Sequence, residues 1–520
     1  MEFFYNLTLS TSICTIATII LFIFFFFFVN RAKTRTPIPS SYPLVGNIIA
    51  LLLNYHRFHD WVTDMISTTP SNTLQVNGLL NIPNGICTAN PLNIEHLLRS
   101  NFSNYIKGSR FHDFLHDILG DGIFIVDSDL WLTQRKIASY EFNTRSLRSF
   151  IDETVQFEIS YRLLPLLEIA SEKNEIIDLQ DVLKRFAFDN ICKLAFGDDP
   201  ACLDLDQKSI HSSSSFVNAF DEAVEICFSR SLSPIHLIWK IKRYMNVGSE
   251  KRLKEAVKVI NDYAMKIIRN REEMSSNTDH HQDLLSRFMC CSDDNFESRD
   301  LNQKRKFLRD IIISFVLAGK DSTSTALTWF FWVISANPDC ISRIYTELTQ
   351  LPQIRSGVFN YEDLKKLNYL HAAISESLRL FPPVPINSRL SVNNDVLPDG
   401  THVKAGWFAD YSAYAIGRME SVWGPDCKEF KPDRWLDKDG VFQPLDQFRF
   451  PVFHAGPRIC LGREMAYMQM KSIAASVIYG FEIEAVDGGG DVEKMKNPPY
   501  MLSLVLKMKG GLPVSLKRRR

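Results

Sequence analysis

Most of this chain places its apolar residues at helical spacing, three and four apart. That pattern predicts helices over roughly 92–100, 130–145, 152–170, 179–195, 215–228, 250–274, 305–336, 338–350, 368–380 and 461–479. In 305–336 the apolar residues lie on every side, which predicts a helix buried in a core rather than one facing water. β-Prone residues with turn signals predict a hairpin within 73–91 (NGLLNIPNG) and strands over 384–413, interrupted at Pro398-Asp399-Gly400. Further strands are predicted over 499–517 around a Gly-Gly turn. The expected fold is mainly α with a small β portion, in one large domain over 47–520. The polar stretches 273–283 and 291–300 are expected to be mobile.

One segment has no polar face. Leu7 to Val29 carries no charge and ends in FIFFFFFV. At about 1.5 Å per residue such a helix crosses a hydrocarbon layer of roughly 30 Å. Arg31, Lys33 and Arg35 follow, which sets the rest of the chain on the cytoplasmic side. The start carries Glu2 and no basic residue, and no small-residue cleavage site follows, so residues 1–30 read as a retained anchor. Pro37, Pro39, Pro43 and Gly46 make 31–46 a stiff hinge.

The chain has 520 residues and a formal net charge of −1, which argues against general nucleic-acid binding. Its ten cysteines show neither zinc pairing nor a disulfide framework, as expected for a reducing compartment. The basic run Lys517 to Arg520 reads as a solvated terminus. His280-His281 lacks partner ligands for a metal. The GGGD loop at 488–491 lacks the strand and helix of a phosphate cradle.

Chemistry concentrates in four places. FHAGPRICLG (453–462) sets Phe453, Gly456, Cys460 and Gly462 in the pattern F-x-x-G-x-x-x-C-x-G. Glycines let backbone approach a sulfur closely, and a helix starting just after it favours a thiolate. Ala318-Gly319-Lys320-Asp321-Ser322-Thr323 interrupts the all-apolar helix with an acid and hydroxyls. Buried polar groups of that kind need partners or a task; a hydroxyl bonded back to its own helix is the bland alternative for Ser322. Glu376-Ser377-Leu378-Arg379 puts opposite charges on one helix face, and Trp131 and Arg135 share another.

Together these motifs resemble the cytochrome P-450 superfamily over about residues 37 to 517. The resemblance implies Cys460 as thiolate ligand of a haem b iron, and Trp131, Arg135, Arg389 and Arg458 as propionate partners. It implies a structural triad of Glu376, Arg379 and Arg434, the last from FKPDRW (430–435). Asp321, Ser322 and Thr323 would deliver protons to bound oxygen. The family usually has threonine directly after the acid; Ser322 departs from this and lacks the methyl that fixes the rotamer. O2 and NADPH-derived electrons would come through a separate NADPH–cytochrome P-450 reductase. It would dock on the cysteine-loop face, with Arg463 and Lys471 contributing, at the endoplasmic reticulum membrane.

GDGIFIVD (120–127), QRKIASYEF (134–142), DLLSRFM (283–289) and FHAGPRICLGREMAYMQMKSIAA (453–475) resemble the plant fatty-acid ω-hydroxylase clan. That implies hydroxylation of a fatty acid at or near its ω end. By family position Phe124, Ile125, Phe315, Leu317, Ala318, Val384, Asn387 and Met501 line the pocket. The same clan oxidises jasmonate–amino acid conjugates, the alternative substrate class. A haem-thiolate isomerase or dehydratase acting on peroxides usually lacks the acid–alcohol pair. A non-enzymatic haem binder would not need a polar break in a buried helix.

Overall fold

A computed structural model describes residues 48–77, 84–204, 215–233, 236–275, 283–290, 300–351, 357–486 and 498–519. The expected anchor and hinge, the centre of the 73–91 turn, most of the two polar stretches, His280-His281 and the GGGD loop lie outside them. Among the described residues no helix is long and apolar enough to cross a membrane.

The elements that position the site are, in chain order, α1 (Phe58–Ser67), β1 (Thr73–Val76), β2 (Gly85–Thr88), β3 (Tyr105–Ile106), α2 (Gly108–Leu119), α3 (Ser128–Ser139), α4 (Leu179–Phe196), α5 (Ser215–Ser231), α6 (Gly248–Ser275), α7 (Leu301–Ser335), α8 (Pro338–Thr349), α9 (Asn368–Leu380), β4 (Ile386–Ser391), β5 (Phe408–Ser412), α10 (Arg463–Gly480), β6 (Phe481–Ala485), β7 (Tyr500–Met501), β8 (Lys507–Met508) and β9 (Pro513–Arg518). The strands of the main sheet run in the order β1-β2-β5-β4-β3. β2 pairs parallel with β5, Gly85 opposite Phe408, and the other pairings are antiparallel. The predicted hairpin strands are therefore present, and the sheet adds the 384–413 strands to them.

The long helix α7 organises the rest. Asp300 caps it by accepting from the Gln303 N–H, and Pro338 opens the next helix, where a missing N–H costs nothing. Its second half packs with α9 and α10 in one apolar cluster; its first half packs with α4, α5 and α6 in another. Trp329 stacks on Phe381 with ring centroids 4.7 Å apart, and its Nε1 donates to the Leu506 carbonyl. Gly319 lets α4 cross closely: a Cβ there would fall 2.5 Å from Ile191 Cγ1.

Helices α1 and α2 and the exposed helix His236–Met245 were not expected from the pattern, nor was β6. In α2 the sequence GSRFHDFLHDIL interrupts the apolar stripe with His and Asp, and packing of Leu115, Ile118 and Leu119 decides the outcome. The basic tail is held by its backbone. Lys517 and Arg518 belong to β9 and pair with Glu482 and Phe481, and Arg519 Nε donates to the Ile478 carbonyl at 3.0 Å. The Lys517 and Arg518 side chains are exposed, as expected, while their backbone is tied into the sheet.

Candidate active site

The loop around Cys460 is held from both ends. The Cys460 N–H donates to the Phe453 carbonyl at 2.8 Å, and α10 begins at Arg463 with Gly462 as its N-cap. Gly456 has φ +64°, and a Cβ there would meet the Leu98 carbonyl oxygen at 1.9 Å, so only glycine fits this turn. A Cβ on Gly462 would lie 4.0 Å from Cys460 Sγ. Phe453 packs on Tyr467, centroids 5.2 Å apart. Cys460 has accessible surface, yet it lies deep enough that burial pushes its thiol pKa up, against the Gly462 N–H, Arg135 and Arg463. Both observations fit a side chain facing an internal cavity.

A cluster of cations stands beside this loop. Arg135 donates to the Ile459 carbonyl at 2.7 Å. The Arg458 guanidinium lies 4.4 Å from the Trp131 ring centroid and donates to Asp127 at 2.7 Å. Arg389 is buried; it reaches only its neighbour's carbonyl at 3.3 Å, and its Nε has no partner. Sequence reasoning missed Lys107 and His454. Burial, then Lys107, Arg389, Arg458 and Arg135, hold His454 well below its ordinary range. Burial and Arg389 lower Arg458 to about 9, although Asp127 opposes this. No spacing rule would have found Lys107; its buried position after β3 comes from the sheet. Positive charge exceeds negative here in a place where water is scarce. Two carboxylates would balance it and give Arg389 Nε an acceptor. Haem b carries two such propionates, so these residues fit it.

Across the site, α7 is buried from Ile311 to Ile334 except at Leu317, Ala318, Gly319, Asp321 and Ser322, which are partly accessible. Ile125 and Phe315 belong to one apolar cluster, and Leu317 and Leu461 pack on it. Three of the expected pocket residues and Leu461 of the cysteine loop thus share one apolar cluster. Phe124 is exposed, Val384 and Met501 are half-buried, and Asn387 is buried in β4; all four stand outside this cluster.

The polar break on α7 is not free. Ser322 Oγ donates to the Ala318 carbonyl, so the bland alternative describes its hydroxyl. Thr323 is buried. Asp321 pairs with Lys320, whose fully buried ammonium also lies 2.7 Å from Asp221 Oδ1 on α5. Burial raises the Asp321 pKa, with Lys320 opposing. Burial also acts on Asp221, but Lys320, Lys184 and Lys507 outweigh it and hold that carboxyl low.

The expected triad is a closed network. Arg379 donates to both Glu376 oxygens at 2.8 Å, and Arg434 and Trp435 donate to them at 2.7 and 2.9 Å. Lys471 corrects an expectation. It is 2% exposed, so its ammonium is out of reach of a docking partner, and desolvation pushes it down to about 8 against Glu347 and Glu464. Arg463 is exposed.

The model of the family described as cytochrome P450 matches residues 37–512. The chain is 45% identical to cytochrome P450 CYP94D108 of Paris polyphylla, over 91% of each protein. It is 43% identical to cytochrome P450 94A1 of Vicia sativa, over 93% of this chain and 91% of the relative. It is also 43% identical to cytochrome P450 94B1 of Arabidopsis thaliana, over 94% and 93%. With the helical fold, the cysteine loop and the cation cluster, these matches make the chain a member of the cytochrome P450 family, a haem monooxygenase that uses O2 and NADPH-derived electrons delivered by a reductase.

Proposed function

We propose that this protein hydroxylates a fatty acid at or near its ω end, with Cys460 as the axial ligand of the haem iron. The observation that carries the substrate class is that Ile125, Phe315 and Leu317 belong to or pack on the same apolar cluster as Leu461, the residue next to the ligand. A cluster without charge suits a hydrocarbon chain and offers nothing to a polar group near the iron. The four motif strings quoted above, which resemble the fatty-acid ω-hydroxylase clan, point the same way.

Bound at Cys460, haem b supplies the oxygen chemistry and the insertion into a C–H bond. The chain supplies the rest. Arg135, Arg389, Arg458 and Trp131 hold the propionate side. The Gly462 N–H and the start of α10 favour the sulfur as thiolate. Asp321, whose buried carboxyl holds a proton more readily than usual, passes protons toward the accessible face of α7. The uncharged run Leu7 to Val29 and the basic residues after it support a single membrane anchor at the endoplasmic reticulum, with the catalytic body cytoplasmic. Exposed Arg463 supports docking of NADPH–cytochrome P-450 reductase on the cysteine-loop face.

The test is turnover of the membrane-bound protein with reductase, NADPH and a panel of fatty acids plus jasmonoyl-isoleucine, with products identified by mass spectrometry. Terminal or near-terminal hydroxy acids are expected. Oxidation of the conjugate alone would overturn the fatty-acid reading and leave the monooxygenase chemistry in place.

A further inference from the structure

We propose that His112, His116 and Asp121 form a binding site for a zinc-type divalent cation, outside the haem pocket, that ties α2 to the loop bearing Phe124 and Ile125. The site does not depend on the substrate reading.

His112 and His116 are four residues apart on one face of α2, with ring centroids 4.4 Å apart. Both Nε2 atoms turn to the same carboxylate, at 3.8 and 3.9 Å from Asp121 Oδ1. One ligand atom from each residue lies within 4.8 Å of the others. Around a tetrahedral zinc with bonds of about 2.0–2.1 Å, ligand atoms stand about 3.3–3.4 Å apart. Closing the remaining gap needs only small side-chain rotations. All three side chains are between a third and a half exposed, so they are free to make them. Two neutral imidazoles and one carboxylate are a common zinc set, with the fourth position left to water or another ligand. Asp121 also lines a cleft of about 210 Å³ with Gln303, Lys306 and Phe307, which gives an ion a route in. One group opposes binding: Lys306 Nζ lies 3.8 Å from Asp121 Oδ2, on a long exposed side chain that can swing away.

The backbone supplies the consequence. The Asp121 N–H donates to Asp310 on α7 at 2.9 Å, and its carbonyl accepts from Gln134 on α3 at 2.8 Å. Asp121 is thus already fixed to two helices by its main chain, and its side chain is left to the two histidines and the exposed Lys306. An ion held there would add the His112–His116 face of α2, so that three helices meet at a residue three positions before Phe124. The sequence carries the signal as H-x3-H-x4-D, which is weak until α2 is known to be a helix.

The experiment is isothermal titration of zinc into the full-length, haem-loaded protein in detergent. One equivalent is expected to bind with an affinity that His112→Ala and Asp121→Asn each weaken by more than the roughly 10–100-fold lost when an outer-shell partner is removed. Lys306→Ala is expected to tighten binding several-fold by removing the competing cation. Each variant is checked for its haem spectrum, so loss of binding is not confused with loss of fold. Zinc K-edge absorption on the wild-type protein, which needs no variant, should show two imidazole ligands. Equal zinc affinity in wild type and variants, or no histidine scattering at the edge, would overturn the proposal.

Discussion

Ser322 Oγ donates to the carbonyl oxygen of Ala318 at 2.5 Å, so the hydroxyl that follows the acid of α7 is bound to its own helix. Its proton is committed, and its lone pairs remain free to accept. Ser322→Ala should therefore lower product formed per NADPH consumed by much less than the roughly 100-fold expected for removing a full acid–base group. Substrate affinity should change little. Parallel measurement of NADPH, peroxide and product checks this, and a collapse of turnover would assign Ser322 a larger part.

Lys320 is the only cation touching both Asp221 and Asp321 among the described ion pairs. Lys320→Met keeps the volume but takes from Asp321 its ion-pair partner and leaves it beside Asp221, which keeps Lys184 and Lys507. Removing one partner of a buried pair costs about 3–5 kcal/mol. Thermal or denaturant unfolding should show a loss of that order, together with tighter proton retention by Asp321. A neutral result would mean that Asp321 finds another partner. Asp321→Asn, in contrast, should fold and bind haem while turnover falls.

Cys460→Ala should remove the thiolate-type spectrum of the reduced carbon monoxide complex. Some haem should still associate, because the cation cluster is untouched. A variant with an unchanged spectrum would sink the ligand assignment.

Arg389 is a buried guanidinium with an unpartnered Nε. Arg389→Met should weaken haem retention by about 10–100-fold, the worth of a hydrogen bond to a charged group. The same change should raise the stability of the haem-free protein, since it removes a buried charge repelled by Lys107 and Arg458. Haem transfer to an acceptor protein and apoprotein melting read the two effects separately. A fall in both would indicate that Arg389 acts mainly by packing.

Besides His454, two histidines steepen the acid limb of stability. Burial, then Arg418, lowers His59 to about 3, and burial, then Lys471 and Arg463, lowers His371 to about 3. Unfolded, each takes up a proton near 6.5. The unfolded chain thus binds more protons between these values. The stability is full above pH 6.5 and is lost as pH falls through it toward 3. Each group contributes a slope of about 1.4 kcal/mol per pH unit there. His59→Phe, set between Tyr414 and Tyr500, should flatten the fall by one proton. Denaturation midpoints from about pH 4 to 7 check this; parallel curves would show that His59 titrates when folded.

The sequence by itself determined the mainly helical class, the buried α7, the cysteine loop and the Glu376–Arg379 pair. Those are local: a 3.6-residue period, a glycine pattern or an i, i+3 pair is set by backbone geometry over a few residues. Even Glu376 and Arg379 were legible because helix spacing already puts them together. What joined them to Arg434 and Trp435, 58 and 59 positions on, was the tertiary structure. The same holds for the cations. Arg135, Arg389 and Arg458 are distant in the chain, and the addition of Lys107 and His454 came only from how β3, β4 and the cysteine loop pack. It also decided that Ser322 bonds to its own helix, that Asp321 is paired through Lys320 to Asp221, and that Lys471 is buried. Burial and charge pairing depend on what folds over a residue from elsewhere, and no local pattern encodes that.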